Sequence, residues 1–74
     1  MKQHVSQRAA QDDYHARLIA QGMENAGAEV FAVTNDANGN IVVYCKYRDS
    51  IDEEWIDRKV REEVSAKAAY YAAA

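Results

Sequence analysis

The side chains best suited to metal or acid–base chemistry in this chain are His4, His15 and Cys45. Asp12 stands three residues before His15, so on a helix the two side chains could share a metal ion. Structural zinc sites, however, use paired cysteine and histidine spacings, and the sequence contains none. We therefore interpret His15 as a surface or boundary histidine and Cys45 as a small core residue, and we predict no metal and no cofactor.

A nucleophilic mechanism would need Cys45 or a serine beside an oriented base. The strand pattern around Cys45 directs its thiol into the core, where burial disfavours the reactive thiolate. Ser50 is explained as a helix cap, and the sequence has no glycine-rich phosphate-binding loop. We predict that the protein is not an enzyme and has no catalytic residues.

An acidic run is the strongest charge feature of the sequence. Its members, which have no cation among them, are Asp49, Asp52, Glu53, Glu54 and Asp57. Carboxylates at the start of a helix are stabilised by the helix dipole, so the run could serve only to begin a helix. As a functional feature it would be an acidic patch that binds a basic surface, such as the nucleic-acid groove of another protein. We predict it as one partner-binding surface.

Tyr44, Lys46 and Arg48 alternate along one strand, so they share a face. Aromatic side chains that stack on bases, beside cations that hold phosphates, are typical of sheets that bind single-stranded nucleic acid. The net charge is −3, from nine basic and twelve acidic residues, which is the wrong sign for a general nucleic-acid binder. Nucleic-acid binding therefore stays as an alternative.

Two further aromatic residues, Tyr70 and Tyr71, stand in an otherwise alanine-rich C-terminal stretch. Exposed tyrosines are frequent interface anchors, and buried ones cover the edge of a core. We interpret this pair as possible interface anchors, with a packing role as the alternative.

The elements that would position these residues are two amphipathic helices on either side of a β-hairpin. Apolar residues recur at steps of three and four over residues 5–26, which predicts a first helix that Gly27 ends. β-Branched and aromatic residues dominate residues 28–34 and 41–47, which predicts two strands. A capping box from Ser50 to Glu53 predicts the start of a second helix.

The turn between the strands permits two registers. A type I′ turn centred on Asn38 and Gly39 is one of them. The other is a type I turn followed by Gly39 in the left-handed conformation, which pairs Asp36 with Asn40 and Val33 with Val43, and places Phe31 opposite Cys45. We favour the second, because it segregates the apolar side chains on one face. It turns outward a set that we predict as a partner or dimer face: Val30, Ala32, Val42 and Tyr44, bordered by Lys46 and Arg48.

These elements predict an α+β fold of the α-β-β-α type, a single domain over residues 1–74. Its two layers are a two-stranded antiparallel hairpin and both flanking helices on one face, with Trp55 and Phe31 near the centre. An isolated two-stranded ribbon is marginal in water and has two unpaired edges. We therefore predict that the outer face of the hairpin pairs with a second copy, in a homodimer, or with a foreign partner.

Compartment is indicated by cysteine content and hydropathy. The single cysteine cannot form an internal disulfide and fits a reducing cytoplasm. No apolar run approaches the roughly 20 residues of a membrane span, and the first residues do not read as a signal peptide. We predict a cytoplasmic protein with no membrane partner.

In size, charge, helix–hairpin–helix plan and the acidic run over residues 49–57, the chain resembles the small acidic proteins encoded by phages and mobile elements that inhibit host defence, including anti-CRISPR proteins. The resemblance implies a non-enzymatic protein-binding module. Such a module inhibits by occupying the surface of a host protein or complex that handles nucleic acid. A single-stranded nucleic-acid-binding protein and a structural or assembly subunit are the alternatives.

Overall fold

A computed structural model describes the backbone of residues 2–73 and the side chains of residues 2–67. The elements in chain order are β1 (Gln3–Ala10), α1 (Asp13–Asn25), β2 (Glu29–Asn35), β3 (Ile41–Arg48) and α2 (Glu53–Ala73). The α+β class is confirmed. The α-β-β-α order with a two-stranded hairpin is wrong, because a strand precedes the first helix and the sheet has three strands.

The predicted first helix splits at Asp12. The Asp12 carboxylate accepts a hydrogen bond from the backbone N–H of His15 at 2.8 Å, so the helix begins at Asp13. Residues 3–10 instead pair along their whole length with β3, from Gln3 opposite Arg48 to Ala10 opposite Ile41. The sheet contacts of this segment override its helical spacing, as tertiary context commonly does.

The sheet is antiparallel with β3 in the centre, in the order β1-β3-β2. Because β3 lies between β1 and β2, the segment β1-α1-β2 is a split β-α-β unit. Both helices pack on one face of the sheet, as predicted, with Met23, Val43, Cys45 and Ile56 fully buried between the layers. Two residues predicted at the centre lie at the surface instead: Trp55 is 38% exposed and Phe31 is 51% exposed.

The hairpin turn follows the favoured register. The Asp36 N–H donates to the Asn40 carbonyl at 2.9 Å, and Gly39 has a φ of 82°. Val33 pairs with Val43 as predicted, but a bulge between Val30 and Ala32 shifts the rest of β2. Val30, not Phe31, therefore stands opposite Cys45, which overturns both the predicted Phe31–Cys45 pair and the outward placement of Val30.

Helix α1 ends in a Schellman motif. The Ala28 N–H donates to the Met23 carbonyl and the Gly27 N–H to the Glu24 carbonyl, both at 3.0 Å, with Gly27 at a φ of 97°. The predicted stop at Gly27 is confirmed.

Candidate functional site

The outer sheet face is the side of the sheet that faces away from both helices. Side chains alternate along each strand, and residues paired across strands share a side, so the register assigns its members. They are Gln3, Val5, Gln7 and Ala9 on β1, Val42, Tyr44, Lys46 and Arg48 on β3, and Glu29, Phe31, Ala32 and Thr34 on β2. Every residue of the predicted hairpin face except Val30 belongs to it.

An aromatic pair lies at the centre of this face. The rings of Phe31 and Tyr44 are 6.1 Å apart between centroids and tilted by 42°, a geometry that aromatic pairs favour. The bulge in β2 brings Phe31 to this side, where half of its surface remains exposed. Val5 on β1 is 63% exposed on the same face, where the register places it opposite Lys46. An exposed aromatic pair rimmed by polar side chains is typical of an interaction surface.

Sequence reasoning missed Phe31 and Val5 as members of this face. A one-residue bulge leaves no clear mark in composition, so the side of Phe31 could not be read from alternation. The segment that carries Val5 lacks the apolar–polar alternation expected of a strand, because its inward positions include the polar residues Ser6 and Arg8. Its sequence therefore did not predict a strand. The one available signal was Asp12, since aspartate is a favoured residue at the start of a helix and would have left residues 3–10 outside it.

The charge on the outer sheet face is small. Lys46 Nζ lies 3.4 Å from Glu29 Oε2, so its charge is balanced on the same face. Arg48 has no ion-pair partner among the described residues. A face with one unbalanced cation offers little to a chain of phosphates.

The acidic run is largely paired within the chain. Asp49 is hydrogen-bonded to Nε2 of His4. Asp57 lies 3.8 Å from Arg8 Nε and 3.4 Å from Arg61 Nε. Asp52 caps α2 by accepting from the Trp55 N–H at 2.8 Å, which shows that the predicted capping box at Ser50 is wrong.

Of the remaining two carboxylates, Glu54 has no ion pair among the described residues, and Glu53 turns toward the sheet. Asp52 caps the helix that starts at Glu53. The Glu53 carboxylate is therefore not needed for capping and reaches β1 and β3 instead. The acidic run therefore does not form a continuous unpaired patch.

Glu53 is the centre of a hydrogen-bonded cluster that joins α2 to the sheet. It accepts from Ser6 Oγ at 2.8 Å, from Arg8 Nη2 at 3.0 Å and from Tyr47 Oη at 3.1 Å. The Ser6 hydroxyl also accepts from Arg8 Nη1 at 2.7 Å, so this 4% exposed polar residue is satisfied. Every polar group in the cluster has a partner, which is typical of a structural network.

The cluster perturbs the pKa values of its members in opposite directions. Partial burial by itself raises the pKa of Glu53, but the hydrogen bonds from Ser6, Arg8 and Tyr47 and the charge of Arg8 lower it by more, so the net pKa is below its ordinary value. Burial, together with the hydrogen bond to Glu53 and its charge, raises the pKa of Tyr47. Tyr47 therefore keeps the proton that it donates, while Glu53 keeps its charge.

We expect this cluster to give the fold an acid-sensitive stability. The ionised form of Glu53 is favoured in the folded state, so its contribution is fully present above the ordinary pKa of 4.5 and is lost as the pH falls through the lower folded pKa. Thermal unfolding of the wild type and of Glu53→Gln, followed between neutral and acidic pH, measures this contribution as the difference between the two curves. An equal acid loss in both proteins would contradict it.

The residues first considered for chemistry are not gathered into a reactive site. Cys45 is fully buried, as predicted, and burial raises the pKa of its thiol. Within residues 2–67 no three side chains of the His, Cys, Asp or Glu type lie close enough to hold a metal ion together. His15 accepts the Gln11 N–H at Nδ1, at 3.0 Å. The side chains of Tyr70 and Tyr71 lie outside the part of the chain that the structure describes.

Comparison with protein-family models, with curated proteins and with solved structures gives no match. Neither helix, over the described residues, combines the length and the apolar character that crossing a membrane requires.

Proposed function

We propose that the protein is a non-enzymatic protein-binding module whose binding surface is the outer sheet face. The observation that carries the proposal is the exposed pair of Phe31 and Tyr44 on the face that neither helix covers. Aromatic residues in the centre of an apolar area are the usual anchors of protein interfaces, because they bury much surface for little conformational entropy. A face with an exposed aromatic pair and, among the described residues, a single unbalanced cation suits a protein partner better than it suits a phosphate backbone.

The acidic run is the weaker candidate surface. Asp49, Glu53 and Asp57 each contact a side chain of the same chain, so a partner would have to displace His4, Arg8 or Arg61 to use them. The resemblance to phage and mobile-element inhibitors adds a partner class to the proposal, a host complex that handles nucleic acid. Such an inhibitor would act by covering the surface that it binds.

The proposal is tested by replacing the aromatic pair. We expect Phe31→Ser with Tyr44→Ser to weaken partner binding by about a hundredfold, since loss of an interface anchor costs about 2–4 kcal/mol. The measurement is affinity capture from nuclease-treated bacterial lysate with quantitative mass spectrometry, run in parallel for the wild type and the variant. Circular dichroism checks that the variant is folded.

Glu54→Lys is the matched control on the acidic run, because Glu54 is exposed and has no ion pair among the described residues. Proteins captured by the wild type and by Glu54→Lys, and lost with the aromatic variant, would support the outer sheet face. Loss with Glu54→Lys and retention by the aromatic variant would transfer the binding surface to the acidic run.

Single-stranded nucleic acid is the second candidate partner, since neighbouring aromatic rings are also a stacking platform for bases. It predicts saturable binding of a fluorescent oligothymidylate that weakens steeply as salt is raised. Binding that is absent at low salt would remove this candidate and leave the protein-binding proposal intact.

A further inference from the structure

Strand β1 forms one open edge of the sheet, and it is unusually regular. Within the described part of the chain it has β3 as its single neighbour, and its eight residues pair without a bulge. It contains no proline, and its one Lys or Arg, Arg8, is held on the helix side by Ser6 and Glu53. The other edge strand, β2, carries the bulge at Phe31. Bulges, prolines and charges protect sheet edges from pairing, so β1 is the edge that remains available.

A groove of about 260 Å³ lies beside this open edge. β1 is the one strand that contributes to it, and the remaining lining comes from the two helices. Its larger aliphatic side chains are Val64 from α2, which is half-buried, and Ile19 and Val60, which are core residues that reach the groove only at their edges. A strand added to β1 would direct alternate side chains toward the helices, into this space.

The two charged side chains that line the groove are Arg8 and Arg61, with no carboxylate beside them in the described lining. Arg8 is already paired with Glu53 and Asp57, so Arg61 is the cation that a ligand can reach. Arg61 is 71% exposed, so its pairing with Asp57 is weak and exchangeable. His15 uses Nδ1 to accept the Gln11 N–H, which leaves its Nε2 hydrogen for a ligand. Through Arg61, the groove can therefore pair with a carboxylate on a bound segment.

We propose that β1 and this groove bind an extended segment of another protein, with aliphatic side chains at alternate positions and a flanking carboxylate. The segment adds to β1 as a fourth strand by main-chain hydrogen bonds, and its inward side chains contact Val60 and Val64. Its carboxylate pairs with Arg61.

A second copy of β1 is poorly suited to bind at this edge and groove, judged by the polarity and charge of its inward side chains. Its inward side chains are His4, Ser6, Arg8 and Ala10, as the pairing with β3 assigns them. Self-pairing would place polar Ser6 against aliphatic side chains and bring another Arg8 toward a basic groove, where like charges repel. Charge and polarity therefore favour a foreign segment.

The test uses the full chain and three synthetic eight-residue peptides that alternate valine with threonine. One ends in glutamates, one ends in lysines, and one repeats the glutamate peptide with N-methylated backbone nitrogens. We expect the glutamate peptide to bind at least about tenfold more tightly than its N-methylated form, which loses several backbone hydrogen bonds. Amide shifts in NMR spectra should concentrate in β1 and in the residues around Ile19 and Val64.

Arg61→Glu provides a reciprocal variant at an exposed position. We expect it to weaken the glutamate peptide and strengthen the lysine peptide, each by about threefold to tenfold. The Phe31→Ser, Tyr44→Ser variant should bind the peptides like the wild type. The experiment therefore tests the β1 groove independently of the proposed binding surface on the outer sheet face. Absence of saturable binding, equal binding of the N-methylated peptide, or shifts confined to β2 and β3 would overturn the inference. So would self-association of the free protein through β1 in sedimentation and NMR.

Discussion

Gly22→Ala is expected to lower the free energy of unfolding by about 2–3 kcal/mol. A Cβ at position 22 would lie 2.5 Å from Val60 Cα and 3.0 Å from the Lys59 carbonyl oxygen. These are backbone atoms of α2, so the clash cannot be relieved by a side-chain rotation and the helices must separate. Urea denaturation followed by circular dichroism measures the loss.

The sign of this prediction depends on the helix crossing. In an isolated helix, replacing glycine by alanine is stabilising by about 1 kcal/mol, because alanine loses less backbone entropy. Position 22 is buried where α1 meets α2, and there the clash with the α2 backbone outweighs the gain in helix propensity. A core of this size supplies only about 3–5 kcal/mol, so the variant should lose most of its margin.

Gln21→Ala is the matched control, since Gln21 is the exposed neighbour on the same helix. It loses one surface hydrogen bond to Asn25 and should change stability by no more than about 0.5 kcal/mol. A Gly22→Ala protein as stable as the wild type would mean that the two helices do not approach this closely.

Glu53→Ala is expected to destabilise the fold by about 2 kcal/mol. It removes the acceptor of three hydrogen bonds, from Ser6, Arg8 and Tyr47, that hold the start of α2 on β1 and β3. Ser6 is buried, so its hydroxyl would keep only its bond from Arg8. The Glu53 side chain is half exposed, so water can replace some of the lost hydrogen bonds. The expected destabilisation is therefore smaller than the sum of three charged hydrogen bonds.

Glu54→Ala is the control for this cluster, because it removes the adjacent carboxylate in the same first turn of the helix. We expect it to change the free energy of unfolding by less than about 0.5 kcal/mol at neutral pH. Equal effects of the two substitutions would assign the loss to the helix dipole and not to the cluster.

Local signals predicted the elements that depend on local chemistry. The turn at Asp36 and Gly39, the end of α1 at Gly27 and the burial of Cys45 agree with the structure. In each case a short stretch of residues determines the backbone by its own hydrogen bonds or by a glycine that accepts a positive φ.

Nonlocal contacts decided the rest. Residues 3–10 fit a helix by spacing and form a strand because β3 pairs with them across the sheet. The acidic run at residues 49–57 looks like a free patch until the distant residues His4 and Arg8 are brought beside it. Pairing partners that are about forty residues apart in the chain leave no periodic signal in either segment.

By itself, then, the sequence determined the α+β class, a hairpin turn that depends on glycine, and the burial of the Cys45 thiol, because these features follow from local propensity and apolar periodicity. The tertiary structure alone decided that a third strand exists, that a bulge turns Phe31 outward beside Tyr44, and that Glu53 belongs to an internal cluster. The physical reason is that strand pairing, register shifts and ion pairs depend on which distant residues meet, and a pattern along one chain carries no distances.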